Sequence, residues 1–534
     1  MPLSTRVSLP ARRIIEAAFR DLEKVVSTED RVGLENTTLE DVRDAAHLVQ
    51  NQLAARQWGP NMWLLVPLFK GLEHYSKTIE VLCNGTPYLA WIWAPIKLIL
   101  KVSSDCVEAF EKIIRAYSRI GECLLRFREF DRAFFDNTNV QQTLAIFYVD
   151  ILKFHKEAYQ FVRRSYWKVF FMNSWGRFER RFECIIEDLK IHEDLVDKTC
   201  NAINITEARK MREKIESWRQ QSNEKLAKDE AQLTASQYRA IIGCLEFGEA
   251  DQDEVFSSIA SGAAETAGTS SWIFNQKKIR CWMRCNRESI FLLLNGCPGS
   301  GKSVLSAQIA TFLRAGGHSQ VVAHFCTYQY QTSCEYNRIL HSILIQLIRS
   351  DTDLIAHVWD RLVLGQNAAS SRTIEELIRE LMGASPTAPS QTKYIHLILD
   401  GLDECEPKQQ ERILSILEKF VAAAERSGST VCKVLVPGRA FRSGTKTTRN
   451  KHIVSLSDEK ENINKAMSHY CDSQLATLRP KLLEMKITDA DWQAMQQRIV
   501  VKADGMFLWA RLVLEYLNTN MFCKREEVLL AVDV

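Results

Sequence analysis

The sequence predicts a multidomain chain. An all-α N-terminal helical domain comes first, then an α/β domain with a parallel sheet covered by helices on both faces, then a small helical C-terminal region. Three observations carry that expectation. Residues 10 to about 245 repeat a helical apolar period with little strand-like alternation. Beyond residue 271, short apolar runs (IFLLLN, VVAHFCT, YIHLILD, VCKVLV) alternate with helical patterns, as in a sheet buried on both faces. Between the two textures lies DQDEVFSSIASGAAETAGTSS, 251–271, whose small and polar composition reads as a linker.

At 534 residues the chain is too long for one ordinary domain. The expected divisions are N-terminal helices over 1–60, a helical bundle-like domain over 61–245, a linker over 246–271, the α/β domain over 272–455 and a helical region over 456–534. With 46% hydrophobic and 25% charged residues the composition is globular. A net charge of +3 implies no global pull toward nucleic acid or membrane. The 15 cysteines include no C-x-x-C, the closest spacings being Cys281 to Cys285 and Cys326 to Cys334. That pattern suits neither a disulfide framework nor a structural zinc site and fits a reducing, cytoplasmic setting.

The elements follow in order. The opening MPLSTRVSLPARR is basic and acid-free in the manner of a transit peptide, but no signal peptide is visible. Pro10 instead opens a helix with Ile14, Ile15, Ala18, Phe19, Leu22 and Val25 on one face. TTLEDVRDAAHLVQNQLAARQ starts with a capping pattern, Thr37 and Glu40, and keeps Leu39, Val42, Ala46, Val49 and Leu53 on one side. YLAWIWAPIKLIL, 88–100, is interrupted by Pro95 and Lys97 and is shorter than the roughly 20 residues of a spanning helix, so it reads as a buried bundle helix. CVEAFEKIIRAYSRIGECLLRF and FECIIEDLKIHEDLVDKTC continue the style. RRSYWKVFFMNSWGRFERRF, 163–182, reads as a helix pair with Trp167, Phe170, Phe171 and Phe178 inside and its arginines outside. Contact of this stretch with an anionic membrane surface is a second reading, and nucleic acid the least favoured third. ARKMREKIESWRQQSNEKLAKDEAQLTASQYRAII has a narrow apolar stripe and reads as a solvated connecting helix.

The chemistry begins at GCPGSGKS, 296–303, which fulfils G-x-x-x-x-G-K-S between an apolar strand and a helix. Gly296, Gly299 and Gly301 allow close approach of backbone N–H groups to phosphate, with Pro298 and Ser300 completing the loop. Lys302 supplies a mobile positive charge, and Ser303 a hydroxyl ligand for Mg²⁺. YIHLILDGLDEC places Asp400 at the end of a strand, where its carboxylate would face that metal. Asp403 and Glu404 follow on the turn as candidates to polarise an attacking water. VCKVLVPGRAF ends a further strand at Arg439, which could read a γ-phosphate through a charge-assisted bond. The expected ligands are a nucleoside di- or triphosphate with Mg²⁺, and no base-reading motif separates ATP from GTP.

On these residues the chain resembles the fungal NACHT-type proteins, often labelled nephrocystin-type, of the NLR-like signal-transducing P-loop ATPases (the STAND class). The blocks that carry the resemblance are G-T-S-S-W-I at 268–273 with Trp282, GCPGSGKSVLSAQIA, AHFCTYQYQTSCEYNRILHSILIQLI, LILDGLDECEP, the strand ending at Arg439, and KADGMFLWARLVLEYL at 502–517. They cover about residues 265–520 in the family's order. The preceding helical region resembles, by pattern, the helical domain often found before these modules in filamentous fungi. One departure is P-G-R-A at Pro437 to Ala440, where the family has a T-S-R-P-like run; the arginine stays and its neighbours change. Family members also usually continue into ankyrin, WD or TPR repeats, whereas this sequence runs to Val534, just past the GMFLWA block.

The resemblance implies a slow, Mg²⁺-dependent nucleotide hydrolase acting as a switch. ADP would hold it closed, ATP would permit self-association, and the helical N-terminal domain would deliver the signal to protein partners, in self/non-self recognition or cell death. A metabolic phosphotransferase is the alternative from another class, but the residues after Ser303 offer no arginine-bearing lid or acceptor cluster. A nucleic-acid-associated ATPase would rest on 163–182 alone, and a scaffold would not need Lys302, Asp400 and the acids beyond it.

Overall fold

The computed structural model describes residues 8–27, 30–31, 37–55, 65–73, 90–103, 107–124, 138–162, 178–192, 205–264, 269–349, 351–365, 369–383, 392–427, 430–439, 451–484, 487–520, 522 and 525–532. By packing, the chain divides into two compact units, with the boundary after Tyr238.

The first unit is helical throughout its described residues. Pro10 sits in the first turn of the Leu9–Glu23 helix, where its missing N–H costs nothing. Ile15 and Leu22 of that helix are buried, and Ile14, Ala18 and Phe19 pack on the same core. The Leu39–Ala55 helix buries Val42, Ala46 and Val49 as its period predicts. Its capping pair differs from the one expected. Thr38 and Asp41, not Thr37 and Glu40, exchange the reciprocal bonds: Thr38 N–H to Asp41 at 2.8 Å and Asp41 N–H to Thr38 Oγ1 at 3.3 Å. The two pairs share one spacing, and the shorter carboxylate reaches back across a single turn without coiling. Those bonds hold the Asp41 carboxyl at about 2.

The Ala90–Ser103 helix accommodates Pro95 and buries Trp91, Ile92, Trp93 and Ile96. It is a core helix, as its interrupted apolar run predicts. Among the described residues no helix is long and apolar enough to cross a membrane. Of the arginine- and aromatic-rich stretch at 163–182, only 178–182 lie within the described residues. Phe178 and Phe182 are buried there, while Arg181 bonds Glu230 at 3.0 Å. Trp167, Phe170 and Phe171 lie outside the described residues.

The unit boundary falls within one continuous helix, Ile205–Leu245, whose described side chains from Glu224 to Ser236 are mostly exposed. The expected linker is a different matter. Residues Glu249–Ala264 form a helix that belongs to the second unit. Val255 joins the core of that unit, Phe256 packs its ring at a tilt against Phe325 with centroids 5.8 Å apart, and Gln252 accepts from Phe325 N–H at 2.9 Å and donates to its carbonyl at 3.1 Å. Val255, Phe256 and Ile259 make the packing while Ser257, Ser258 and Ser261 face outward, a pattern that the small, polar composition hides.

The second unit is built on five parallel strands: β1 (Phe291–Asn295), β2 (Gln320–Phe325), β3 (Lys393–Asp400), β4 (Thr430–Gly438) and β5 (Lys451–Ser455), in the order β2-β3-β4-β1-β5. Four were expected from apolar runs. β5 was not, because KHIVS alternates and leaves Ile453 half exposed at the sheet edge. Helices cover both faces of the sheet, and helices 460–484, 489–503 and 507–519 follow it with a core of their own around Met467, Leu475, Ile499 and Leu514. The expected fold class holds.

β4 is buried along its whole length, including Lys433. Its ammonium donates to the carbonyls of Arg284 (2.7 Å) and Cys281 (3.3 Å) and to Asn286 Oδ1 (2.9 Å). Burial lowers its pKa to about 8. These bonds close the C-terminal end of the Lys277–Met283 helix with a positive charge. Lys433→Met fits the volume but strands three acceptors, so we expect a loss of about 3 kcal/mol in urea unfolding at pH 7. An unchanged midpoint would show that the ammonium contributes nothing.

Candidate functional site

The strand order places the chemistry. β1 lies between β4 and β5, and the loop 296–303 leaves its C-terminal end for the Lys302–Gly316 helix. Gly296 N–H donates to Gly438 O at 3.2 Å, so the loop starts in register with the end of β4. Asp400 ends β3 opposite Phe325 of β2. All parallel strands point their C-terminal ends to one edge, which is where open α/β sheets gather their ligands.

Every predicted site residue lies on that edge. Pro298, Gly299, Ser300, Gly301, Lys302, Ser303, Asp400, Asp403, Glu404 and Arg439 line one cavity of about 560 Å³. Gly296 sits beneath it, where an added Cβ would meet Ser300 Oγ at 2.6 Å and the Leu456 side chain at 2.7 Å. Ser300 lines the cavity from a buried position. Its hydroxyl is shut off from solvent without a partner, and its N–H already donates to Cys297 O at 3.2 Å. Lys302 folds back, its ammonium donating to the carbonyls of Gly296 and Cys297, both at 2.9 Å.

Asp400 is buried, and burial raises its pKa to about 6 against the bonds from Ser303 and Ser306 and the attraction of Lys302. Ser306 Oγ lies 3.4 Å from Asp400 Oδ1. A carboxylate so poorly compensated by the protein is one that a cation would stabilise. Ser303 and Asp400 therefore suit a hard divalent ion, and the inward-facing loop suits phosphate. Glu404 is half-buried; burial raises its pKa, and Oε2 accepts from Tyr328 N–H at 2.9 Å. Asp403 and Arg439, predicted for separate jobs, bond each other at 3.0 Å. Arg439 is mostly exposed, so the pair is worth under about 1 kcal/mol and exchanges readily for a better anion.

The far wall of the cavity was not foreseen. Trp272, Ile463, Tyr470, Phe507, Leu508 and Arg511 are among the residues that line it there. The Phe507–Thr519 helix begins directly on the loop 296–303, Leu508 N–H donating to Gly299 O at 3.2 Å. An added Cβ on Gly299 would stand 2.7 Å from Leu508 Cβ, so glycine is needed there for the close approach as well as for its φ of +71°. The signal was the block GMFLWA, present in the sequence without any local hint of what it touches.

The chain matches the family model described as nephrocystin 3, N-terminal, over residues 268–439, and that of a domain of unknown function, DUF7708, over residues 64–208. No curated protein and no solved structure matches it. The first match spans β1 to the end of β4 and, with the parallel sheet, fits a P-loop NTPase-like fold of NACHT-related type. The helix on the far wall of the cavity lies beyond the matched residues.

Proposed function

We propose that this chain is a nucleotide-dependent switch of the NACHT class, with ATP and ADP as its two ligands and slow hydrolysis resetting it. One observation carries the reading. The cavity is walled on one side by the phosphate loop and β3, and on the other by the first turn of the Phe507–Thr519 helix. A ligand there touches the sheet domain and the C-terminal helices together, so a change in the ligand biases how the two pack.

In this reading the loop N–H groups and Lys302 hold the β- and γ-phosphates, and Ser303 with Asp400 would hold Mg²⁺. The bound ion would supply charge neutralisation of the phosphates. Lys302 would leave the carbonyls of Gly296 and Cys297 for phosphate oxygens, a neutral-to-charged exchange that favours the ligand. Arg439 would release Asp403 for a γ-phosphate, and Glu404, with its raised pKa, would take a proton from water.

The energetics are adequate for a switch. Shifting a two-state equilibrium from 1:99 to 99:1 takes about 5.5 kcal/mol of differential binding. Charge-assisted bonds contribute about 1.5–3 kcal/mol each, so two or three contacts made only with the γ-phosphate suffice. Self-association in the ATP state, and delivery of the output by the helical region, complete the proposal; both come from family resemblance.

The test is to purify the chain, identify the nucleotide that accompanies it and measure particle mass with ADP and with a non-hydrolysable ATP analogue. ADP on a monomer, with larger particles in the analogue, is the expected result. Lys302→Ala should weaken nucleotide binding about 100-fold, some 3 kcal/mol, and abolish the mass change. Retention of nucleotide at wild-type affinity by that variant would remove the loop from the mechanism.

A further inference from the structure

We infer that Cys326, Cys334 and Cys405 form a binding site for a soft, thiophilic metal ion, Zn²⁺ or Cu⁺, beside the turn that carries Glu404. Their three sulfur atoms all lie within 4.8 Å of one another. A tetrahedral thiolate site with metal–sulfur bonds of ~2.3 Å needs sulfurs ~3.8 Å apart, so contraction by about 1 Å closes it. The linear sequence hides the site, because the ligands come from three separate turns rather than from a C-x-x-C knuckle.

Each turn is fixed independently. Cys326 directly follows β2, its N–H donating to Asp400 O at 3.0 Å. Cys334 ends the turn Gln331–Cys334, which is anchored by Thr327 N–H donating to Ser333 Oγ at 2.9 Å and by His324 Nε2–H donating to Ser333 O at 2.9 Å. Cys405 follows the turn Leu402–Glu404, its N–H donating to Leu402 O at 3.1 Å. Two cysteines in contact are ordinary packing. Three converging from rigid turns form a preorganised donor set, and thiolate sulfur selects Zn²⁺ and Cu⁺ over harder ions.

Hydrogen bonds to Cys334 and Cys405, with burial, hold the Cys326 thiol well up, so the bound cation itself would have to stabilise the thiolates. Cys326 and Cys405 are buried and Cys334 is half-exposed, which leaves one side open to solvent for entry and for a fourth, water ligand. On binding, the three thiols release their protons to solvent, three metal–sulfur bonds form and the ion sheds water; no electron moves. The bound ion would tie the Glu404 turn to the end of β2. That consequence alone rests on the nucleotide-site reading, whereas the metal binding does not.

The experiment titrates the reduced, full-length chain with Co²⁺, following the thiolate-to-cobalt charge-transfer absorption, then displaces it with Zn²⁺; Cu⁺ is measured by competition against a coloured Cu⁺ chelator. One ion per chain is expected. Cys334→Ser, at the most exposed ligand, should weaken binding at least 10-fold while unfolding at the wild-type midpoint without metal. Cys405→Ala should do the same, and the exposed Cys244→Ser should change nothing. Absence of the charge-transfer band, binding at wild-type affinity by Cys334→Ser and Cys405→Ala, or a disulfide between two of the three with no uptake after reduction would overturn the site. Nucleotide binding, measured separately, is expected to survive in Cys334→Ser, so loss of the metal site and loss of the phosphate site are distinguishable.

Discussion

Asp400→Asn is expected to make the nucleotide-free protein more stable at pH 8 while removing its response to Mg-ATP. The carboxyl is buried, and burial lifts its pKa from 3.8 to about 6. A raised folded pKa means that the folded state holds the proton more tightly than the unfolded state. Below about pH 4 both states are protonated and nothing is lost. Between about 4 and 6 the unfolded chain ionises first, so stability falls as pH rises. Above about 6 the full cost is present. At about 1.4 kcal/mol for each tenfold in the proton equilibrium, that cost is about 3 kcal/mol, an upper figure once the site relaxes. Asparagine keeps the shape and the contacts to Ser303 and Ser306 without the charge. Urea unfolding free of divalent ions should therefore show the variant ahead by about 1–3 kcal/mol at pH 8, with the gap closing near pH 4. Ligand at 100 times its Kd stabilises the native state by about 2.7 kcal/mol. Wild-type protein should gain that with Mg-ATP and the variant should not. A variant less stable than wild type at pH 8 would mean that the carboxylate is well compensated, and the case for a cation beside it would fall.

This trade of stability for a charged site explains what the sequence made legible. Asp400 stands out because a buried strand has no use for a terminal carboxylate, and the loop 296–303 because its glycine spacing is one that backbone geometry sets. The parallel sheet was readable from runs such as YIHLILD, whose apolar continuity has one common cause, burial on both faces. The rest depends on contacts between distant segments. Leu508 against Gly299, and Cys326 with Cys334 and Cys405, are juxtapositions created by the fold, and no local pattern encodes them. Arg439 was correctly placed on the cavity, but its pairing with Asp403 turns on side-chain geometry at one turn. The segment 251–271 misled because small residues serve a flexible linker and a tightly packed helix equally well; only Phe256 and Val255 hinted at burial.

Gly401→Ala is expected to cost about 2–5 kcal/mol and to dismantle both sites at once. Gly401 joins Asp400 to the turn Leu402–Glu404 with φ of +72°, which an alanine adopts only at about 1–2 kcal/mol. The larger effect is steric. A Cβ there would lie 2.3 Å from the carbonyl oxygen of Cys326, 3.1 Å from its carbonyl carbon and 3.2 Å from its Cβ. That oxygen belongs to the backbone where β2 ends against β3, and Cys326 N–H is itself bonded to Asp400 O, so it cannot swing aside as a side chain would. Relief requires the turn to lift away from β2, adding about 1–3 kcal/mol and moving Asp403, Glu404 and Cys405 together. Gly317→Ala isolates the first contribution. It has φ of +65° but nothing within 4 Å of the added Cβ, so it should cost only the backbone strain. The excess of Gly401→Ala over Gly317→Ala in urea unfolding therefore measures the steric clash. Loss of cobalt binding in Gly401→Ala, with binding kept in Gly317→Ala, would show that the same turn holds the thiol cluster in register. Equal stability losses in the two variants would show that the turn yields freely, and a turn that yields freely could not hold Glu404 in place for hydrolysis.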